Sequence, residues 1–287
     1  MKVETKVLAC VDRSHFADYV ADYAAWAARR MDAPLELLHV INKHPERSNS
    51  KDHSGTIGID AQENLLDKLS EEDKSLTLSV REQGRMFLNR LRQRVTALGV
   101  ANVDVRQRHG DLEETLSAQE KGVRLIVLGR RGAASEITKR DLGRNVERVV
   151  RALHKPILTV TEGFTEPKRI MIAFDGGRVT RRGVKMVAAS PLFKGLPIYL
   201  LMSGKASKDG EKQLQWAKEK LESAGFTVNA QLRPGDAETV IAKAASEFSI
   251  DMLIMGSFSH SPLRSLIFGS KTADLLRSST IPTLLLR

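Results

Sequence analysis

Short apolar runs recur along the chain, each closed by a polar turn and followed by a stretch with apolar residues at helical spacing. The first run, "KVLACVD" (Lys6 to Asp12), ends in an aspartate and precedes Ala17, Val20, Ala21, Ala24 and Ala28. A near copy, "RIMIAFD" (Arg169 to Asp175), precedes Val184, Val187 and Ala188. Each copy continues with a second run, "PLELLHVI" or "LPIYLLMS", and a third, "NVDVRQRHGD" or "TVNAQLRPGD", in which Gly110-Asp111 and Gly235-Asp236 match. The fourth runs, "VRLIVLG" and "IDMLIMG", end at Gly129 and Gly256, and each copy closes on a run after proline, "KPILTV" or "IPTLLL".

The pattern predicts an internal repeat, with five strands and intervening helices in each copy. Strict alternation of this kind predicts an α/β fold: two tandem doubly wound five-stranded parallel sheets, each with helices on both faces. The copies divide at residues 1–162 and 163–287, and "TEGFTEPK" (Thr161 to Lys168) reads as the linker. Between matching landmarks the first copy is longer by about 36 residues, which fit best as an insertion near 43–80. "KHPERSNSKDHSGTIGID" reads as an exposed loop. The following stretch reads as mostly helix, with Leu65, Leu66, Leu69, Leu88, Leu91, Val95 and Leu98 as its apolar positions.

Composition adds to this picture. The chain has 287 residues, 41% hydrophobic and only 5% aromatic, so its core must rest on Val, Leu, Ile and Ala. A net charge of +10 invites a nucleic-acid reading, but the basic residues are interleaved with acids. The clusters Arg85, Arg90, Arg92, Arg94 and Arg130-Arg131 read as solvated helical faces, with a polyanion surface as the lesser alternative. The single cysteine, Cys10, excludes an intramolecular disulfide and reads as a small core residue. The opening residues lack a long apolar segment with a cleavage site, and nowhere do eighteen apolar residues run together, so a cytoplasmic protein without a membrane span is expected.

In parallel sheets of this kind ligands gather beyond the carboxyl ends of the strands. After the fourth run of the second copy, two residues separate Gly256 from Ser259, and nine separate Ser259 from Gly269-Ser270. Glycine admits close approach of an anion, and a hydroxyl with helix N-terminal amides supplies donors. The same spacing suits a tight strand exit followed by a helix cap, and spacing alone does not separate the two. "FGSKT" lacks the order of a Walker loop.

The combination "VLACVDRS", "GRRG" with "LGRN", "IAFDGG" and "GSFSHSPLRSLIFGS" closely resembles the universal stress protein family, as a tandem member, over nearly the whole chain. The resemblance implies an adenine-nucleotide alpha-hydrolase-like fold that binds ATP or ADP, with Mg2+ as an optional companion. With it, the copies are expected to pack as an internal pseudo-dimer through the last strand of each. Nucleotide-binding members carry Gly, two residues, Gly, nine residues, then Gly-Ser or Gly-Thr. By position, this implies Asp175 for adenine, Gly256 and Ser259 along ribose and phosphates, and Gly269 with Ser270 at the phosphates. Ser259 replaces the second glycine of the pattern. In the first copy Asp12, Gly129 and Gly132 match, but ten residues precede Gly143, and Arg144 with Asn145 stands where a small hydroxyl is expected. Arg144 could fill the phosphate space or pair with phosphate, so the second copy is expected to be the main site.

Catalysis is not required by these residues. Asp12 and Asp175 have no second carboxylate or histidine fixed nearby by spacing, so adenine bonding or helix capping is preferred for them. His260 reads as a solvated loop residue, the seven histidines show no zinc spacing, and Ser259, Ser261, Ser265 and Ser270 lack a Gly-x-Ser-x-Gly context. The expected function is a stress-response protein acting through nucleotide-dependent conformation or an unknown protein partner, with a further homodimer compatible. The alternatives are a nucleotide-free interaction scaffold, or a weak ATPase or autophosphorylating protein.

Overall fold

The computed structural model describes residues 5–41, 59–130, 144–256 and 279–287, with the backbone alone at 59–77, 144 and 145. The first copy runs β1 (Lys6–Cys10), α1 (Ala17–Met31), β2 (Leu35–Ile41), α2 (Ile59–Ala97), β3 (Val103–His109), α3 (Leu112–Gln119), β4 (Val123–Gly129), α4 (Arg144–Ala152) and β5 (Ile157–Val160). The second runs β6 (Ile170–Ala173), α5 (Arg178–Ala189), β7 (Ile198–Ser203), α6 (Lys208–Glu222), β8 (Val228–Arg233), α7 (Ala237–Glu247), β9 (Met252–Gly256) and β10 (Thr283–Leu286).

All ten strands form one sheet in the order β3-β2-β1-β4-β5-β10-β9-β6-β7-β8. Within each copy every pairing is parallel. The copies meet at β5 and β10, which run antiparallel with Thr159 opposite Thr283 and Ile157 opposite Leu285. The internal pseudo-dimer read from the sequence is therefore a continuous sheet. Closing the two last strands on each other removes the edges that would otherwise expose unpaired backbone.

Successive strand residues face opposite sides, and both sides are covered. Val7, Ala9, Leu284 and Leu286 belong to one buried layer with α1, α2, α5 and α6. Leu8, Cys10 and Leu285 belong to the other, with α3, α4 and α7. The helical positions read in α1 are all buried, and Leu88, Leu91 and Val95 bury one face of α2. Leu65, Leu66 and Leu69 lie among residues whose side chains are not described. Leu98 departs from the expectation: it follows the end of α2 and is 36% exposed.

Gly110 and Gly235 adopt positive φ, which glycine tolerates, and the aspartates after them cap α3 and α7. Hydrogen bonds from the Glu113 and Glu114 amides and from Arg148 hold the Asp111 carboxyl below its usual range, against the opposing effect of burial.

Arg85, Arg90, Arg92 and Arg94 are exposed as expected, although two of them are paired, whereas Arg130 departs from the expectation and Arg131 lies outside the described residues. Arg130 is buried, and its guanidinium donates to the carbonyls of Ser279 and Ile281, tying the end of β4 to the segment before β10. Arg90 and Arg94 of α2 pair with Asp18 and Asp22 of α1, Arg94 donating two bonds to Asp22 at 2.6 and 2.8 Å. Sequence reading missed both because the partners are distant in the chain.

The hydrogen bond from Arg90 holds the Asp18 carboxyl below its usual range, outweighing burial, with the charges of Arg90 and Arg94 adding to it. A carboxyl lowered on folding contributes stability above its unfolded pKa of about 4, and that contribution is lost as pH falls through the lower folded value. Asp18→Asn should therefore lose stability at pH 7 and approach wild type near pH 3. Urea melts at the two pH values check this.

Cys10 lies in β1, and burial, with the nearby charge of Glu36, pushes its thiol up to about 12. Nucleophilic attack needs the thiolate. The native protein should therefore resist an aromatic disulfide reagent at pH 8, and one thiol per chain should react once urea unfolds it. Rapid reaction of the native form would contradict this placement.

Candidate functional site

In a doubly wound sheet the crevice opens where the chain reverses its direction of winding across the sheet. Here that point falls between β1 and β4 in the first copy, and between β6 and β9 in the second, since these pairs are adjacent. Asp12 follows β1 and Gly129 ends β4; Asp175 follows β6 and Gly256 ends β9. The topology thus brings each aspartate to the same end of the sheet as its glycine.

Asp175 is exposed, and its Oδ1 accepts hydrogen bonds from the Gly177 amide at 2.8 Å and the Thr180 hydroxyl at 2.5 Å. These bonds turn the chain from β6 into α5. No protein partner meets the other oxygen, Oδ2, among the described residues. A Cβ added at Gly256 would lie 3.2 Å from Thr180 Cγ2 and 3.2 Å from Val179 Cγ1. Gly256 therefore lets β9 end close against the first turn of α5.

Thr180 joins the two: its hydroxyl holds Asp175, and its methyl packs on Gly256. It is a site residue that sequence reading missed. The available signal was its place in the first helical turn, five residues after the aspartate. At the matching position the first copy has Ala17, which cannot donate.

The first copy solves the same turn differently. Asp12 is half-buried, and its Oδ1 accepts from the amide and hydroxyl of Ser14 at 3.1 and 2.5 Å. His39 on β2 comes within 2.9 Å of the Val11 carbonyl through Nδ1, beside the strand exit. The two aspartates are equivalent in topology and unequal in exposure.

The backbone places Arg144 and Asn145 at the start of α4. Gly132 and Gly143 of the first loop lie outside the described residues, as do Ser259, His260, Ser261, Ser265, Gly269 and Ser270 of the second. Among the described residues no group of three or more His, Cys, Asp or Glu is placed to hold a metal ion, and no helix is long and apolar enough to cross a membrane.

Comparison with known proteins agrees with this architecture. The family model for the universal stress protein family matches twice, at residues 4–161 and 166–287. The chain is 30% identical over 284 residues to the universal stress protein Slr1230 of Synechocystis sp., covering 98% of this chain and 99% of that one. Among solved structures, a universal stress protein from Archaeoglobus fulgidus superposes with a TM-score of 0.68 at 18% identity, covering 99% of this chain and 96% of the other. A putative universal stress protein from Pseudomonas aeruginosa gives 0.62 at 15% identity, covering 99% and 94%. Two matched copies, one fold and a full-length relative lead to one conclusion: this chain belongs to the universal stress protein family and carries two such domains in tandem.

Proposed function

We propose that the protein binds ATP or ADP, mainly at the carboxyl end of the second domain's sheet, and acts in stress response through nucleotide-dependent conformation or partner choice. The observation that carries this reading is the outward Asp175 carboxylate beside Gly256. One of its oxygens is committed to the turn and the other is available to accept a bond from an exocyclic amine. Gly256 supports the reading by letting the end of β9 pack against Thr180 and Val179, which holds the strand end close to the turn that carries Asp175. Ser259, Gly269 and Ser270 are the proposed phosphate contacts, supplying amides and hydroxyls. The nucleotide supplies a negative phosphate chain, and Mg2+ would enter with those phosphates.

The first domain is proposed as the weaker site. Asp12 is half-buried and held by Ser14, and Arg144 replaces the small hydroxyl at the start of α4. The domain division proposed at 162/163 keeps each aspartate with its own loop.

Denaturing the purified protein and separating the released small molecules by anion exchange should yield an adenine nucleotide. Calorimetric titration with ATP should be saturable for wild type. It should weaken at least tenfold for Asp175→Ala and for Gly269→Val, and stay within about twofold for Asp12→Ala. Absence of both a co-purified nucleotide and saturable ATP binding would overturn the proposal.

A further inference from the structure

The cleft between α5 and α6 in the second domain holds a concentration of positive charge that the corresponding cleft of the first domain neutralises. It has a volume of about 580 Å³, within the range of small-molecule sites, and is lined by Gly176, Arg178, Arg181, Arg182, Lys185 and Trp216. The four cations stand at i, i+3, i+4 and i+7, one face of α5 about 10 Å long. Among the described residues no Asp or Glu lines the cleft.

The first domain shows what a closed version looks like. Asp18 and Asp22 of α1 correspond to Arg181 and Lys185 of α5, counting from the matching aspartates Asp12 and Asp175. The buried faces of the second helices match as Leu88, Leu91 and Val95 against Leu214, Ala217 and Leu221. This register puts Trp216 at the place of Arg90, and Lys220 at the place of Arg94. In the first domain, acids on one helix meet arginines on the other at 2.6 Å. In the second, both acids have become cations and the facing arginines an indole and a lysine. The same two-helix frame has exchanged its internal counter-charges for an uncompensated cationic face.

Two local details point the same way. Arg181 lies over the Trp216 ring, with Cζ 4.5 Å from the centroid, and its Nε is buried without a hydrogen-bond partner among the described residues. The first turn of α5 contains no acid, although the helix dipole there favours negative charge. Cations at that end add to the positive field, and a bound anion relieves both.

We propose that this cleft is a binding site for an oligophosphate anion, from an inorganic chain or from the phosphates of a nucleotide. Arg178, Arg182 and Lys185 contact its oxygens, and Arg181 donates from a guanidinium pre-set on Trp216. The short face and the closing wall of α6 fit a compact anion better than an extended nucleic acid, which needs phosphate contacts along a longer track. The cleft borders the nucleotide site proposed at Asp175, since Gly176 of its lining is the next residue, but its four cations stand along α5 and the proposal does not use the Asp175 carboxylate.

Trp26 is fully buried and Trp216 half-buried, so indole fluorescence reports on the cleft. Titrating the full chain with inorganic tripolyphosphate should give a saturable fluorescence change that weakens with salt. Arg182→Glu with Lys185→Glu should reduce affinity at least tenfold, while the charge-matched pair Arg85→Glu with Arg92→Glu on α2 should change it less than twofold. Trp216→Phe should abolish the optical signal yet keep calorimetric affinity within about threefold. Asp175→Ala should leave tripolyphosphate affinity within twofold, even if ATP binding is lost. Circular dichroism checks that each variant folds.

ATP competing as well as tripolyphosphate identifies the phosphate chain as the recognised group. A preference for either beyond tenfold, still dependent on Arg182 and Lys185, assigns the source. The proposal is overturned by no saturable binding, by equal weakening in the α2 control, by loss in Asp175→Ala, or by tighter binding of a single-stranded RNA 20-mer through the same residues.

Discussion

Replacing Leu285 with aspartate should destroy the junction between the two domains at neutral pH. Leu285 is 1% exposed in β10, which pairs with β5 on one side and β9 on the other. Loss of a buried leucine side chain alone costs about 2–5 kcal/mol, and an unpaired carboxylate adds its desolvation. That sum rivals the whole stability of a domain.

The carboxyl would have its folded-state pKa raised by burial. Its penalty is therefore smallest below the unfolded pKa of about 4 and grows as pH rises through the folded value. Leu285→Asp should be soluble and folded at most near pH 4, and unfolded by circular dichroism at pH 8. Leu285→Asn should lack that pH dependence. Equal stability of Leu285→Asp and wild type at pH 8 would show that β10 does not form this seam.

Trp26→Ala should be the most damaging neutral substitution in the first domain. Trp26 lies in the middle of α1, wholly buried in the layer that α1 shares with α5. Truncating a buried tryptophan costs about 3–5 kcal/mol, because the cavity left behind closes only in part. Its Nε1 has no hydrogen-bond partner among the described residues, so truncation sacrifices packing rather than a polar contact seen there.

The effect should reach the second domain. Arg30 at the end of α1 donates at 2.7 Å to the Leu192 carbonyl, in the 3-10 turn at Pro191–Phe193, and also to the Lys194 carbonyl. On the same helix Tyr23 receives the linker, meeting Phe164 edge-on and accepting from the Thr165 amide. Denaturant melts of Trp26→Ala should show a midpoint shift in probes of both domains. A shift confined to the first would mean that α1 does not couple them.

Much of this architecture was legible in the chain. The repeat, ten strands and their parallel direction within each copy follow from the alternation of apolar runs and helical stretches, while the pairing of the two last strands was expected from the family resemblance. These features are legible because local periodicity reports which face of an element is buried. Asp175 and Gly256 were legible as strand-end residues for the same reason, and the long helix after β2 through Leu88, Leu91 and Val95.

Tertiary structure decided the rest. Whether a charged side chain is solvated or paired depends on residues far away in sequence, so Arg130 read as surface and proved to be a buried link between domains. Arg94 finds Asp22 only after α2 packs on α1. Thr180 joins Asp175 to Gly256 only because β6 and β9 are neighbours in the sheet. The unequal clefts, acid against arginine in one domain and cations around an indole in the other, arise where two helices meet. By itself the sequence determined the repeat and the order of its elements, since both are written in short-range hydrophobic pattern. Only packing decided which charges cancel, because an ion pair is a property of distance in space.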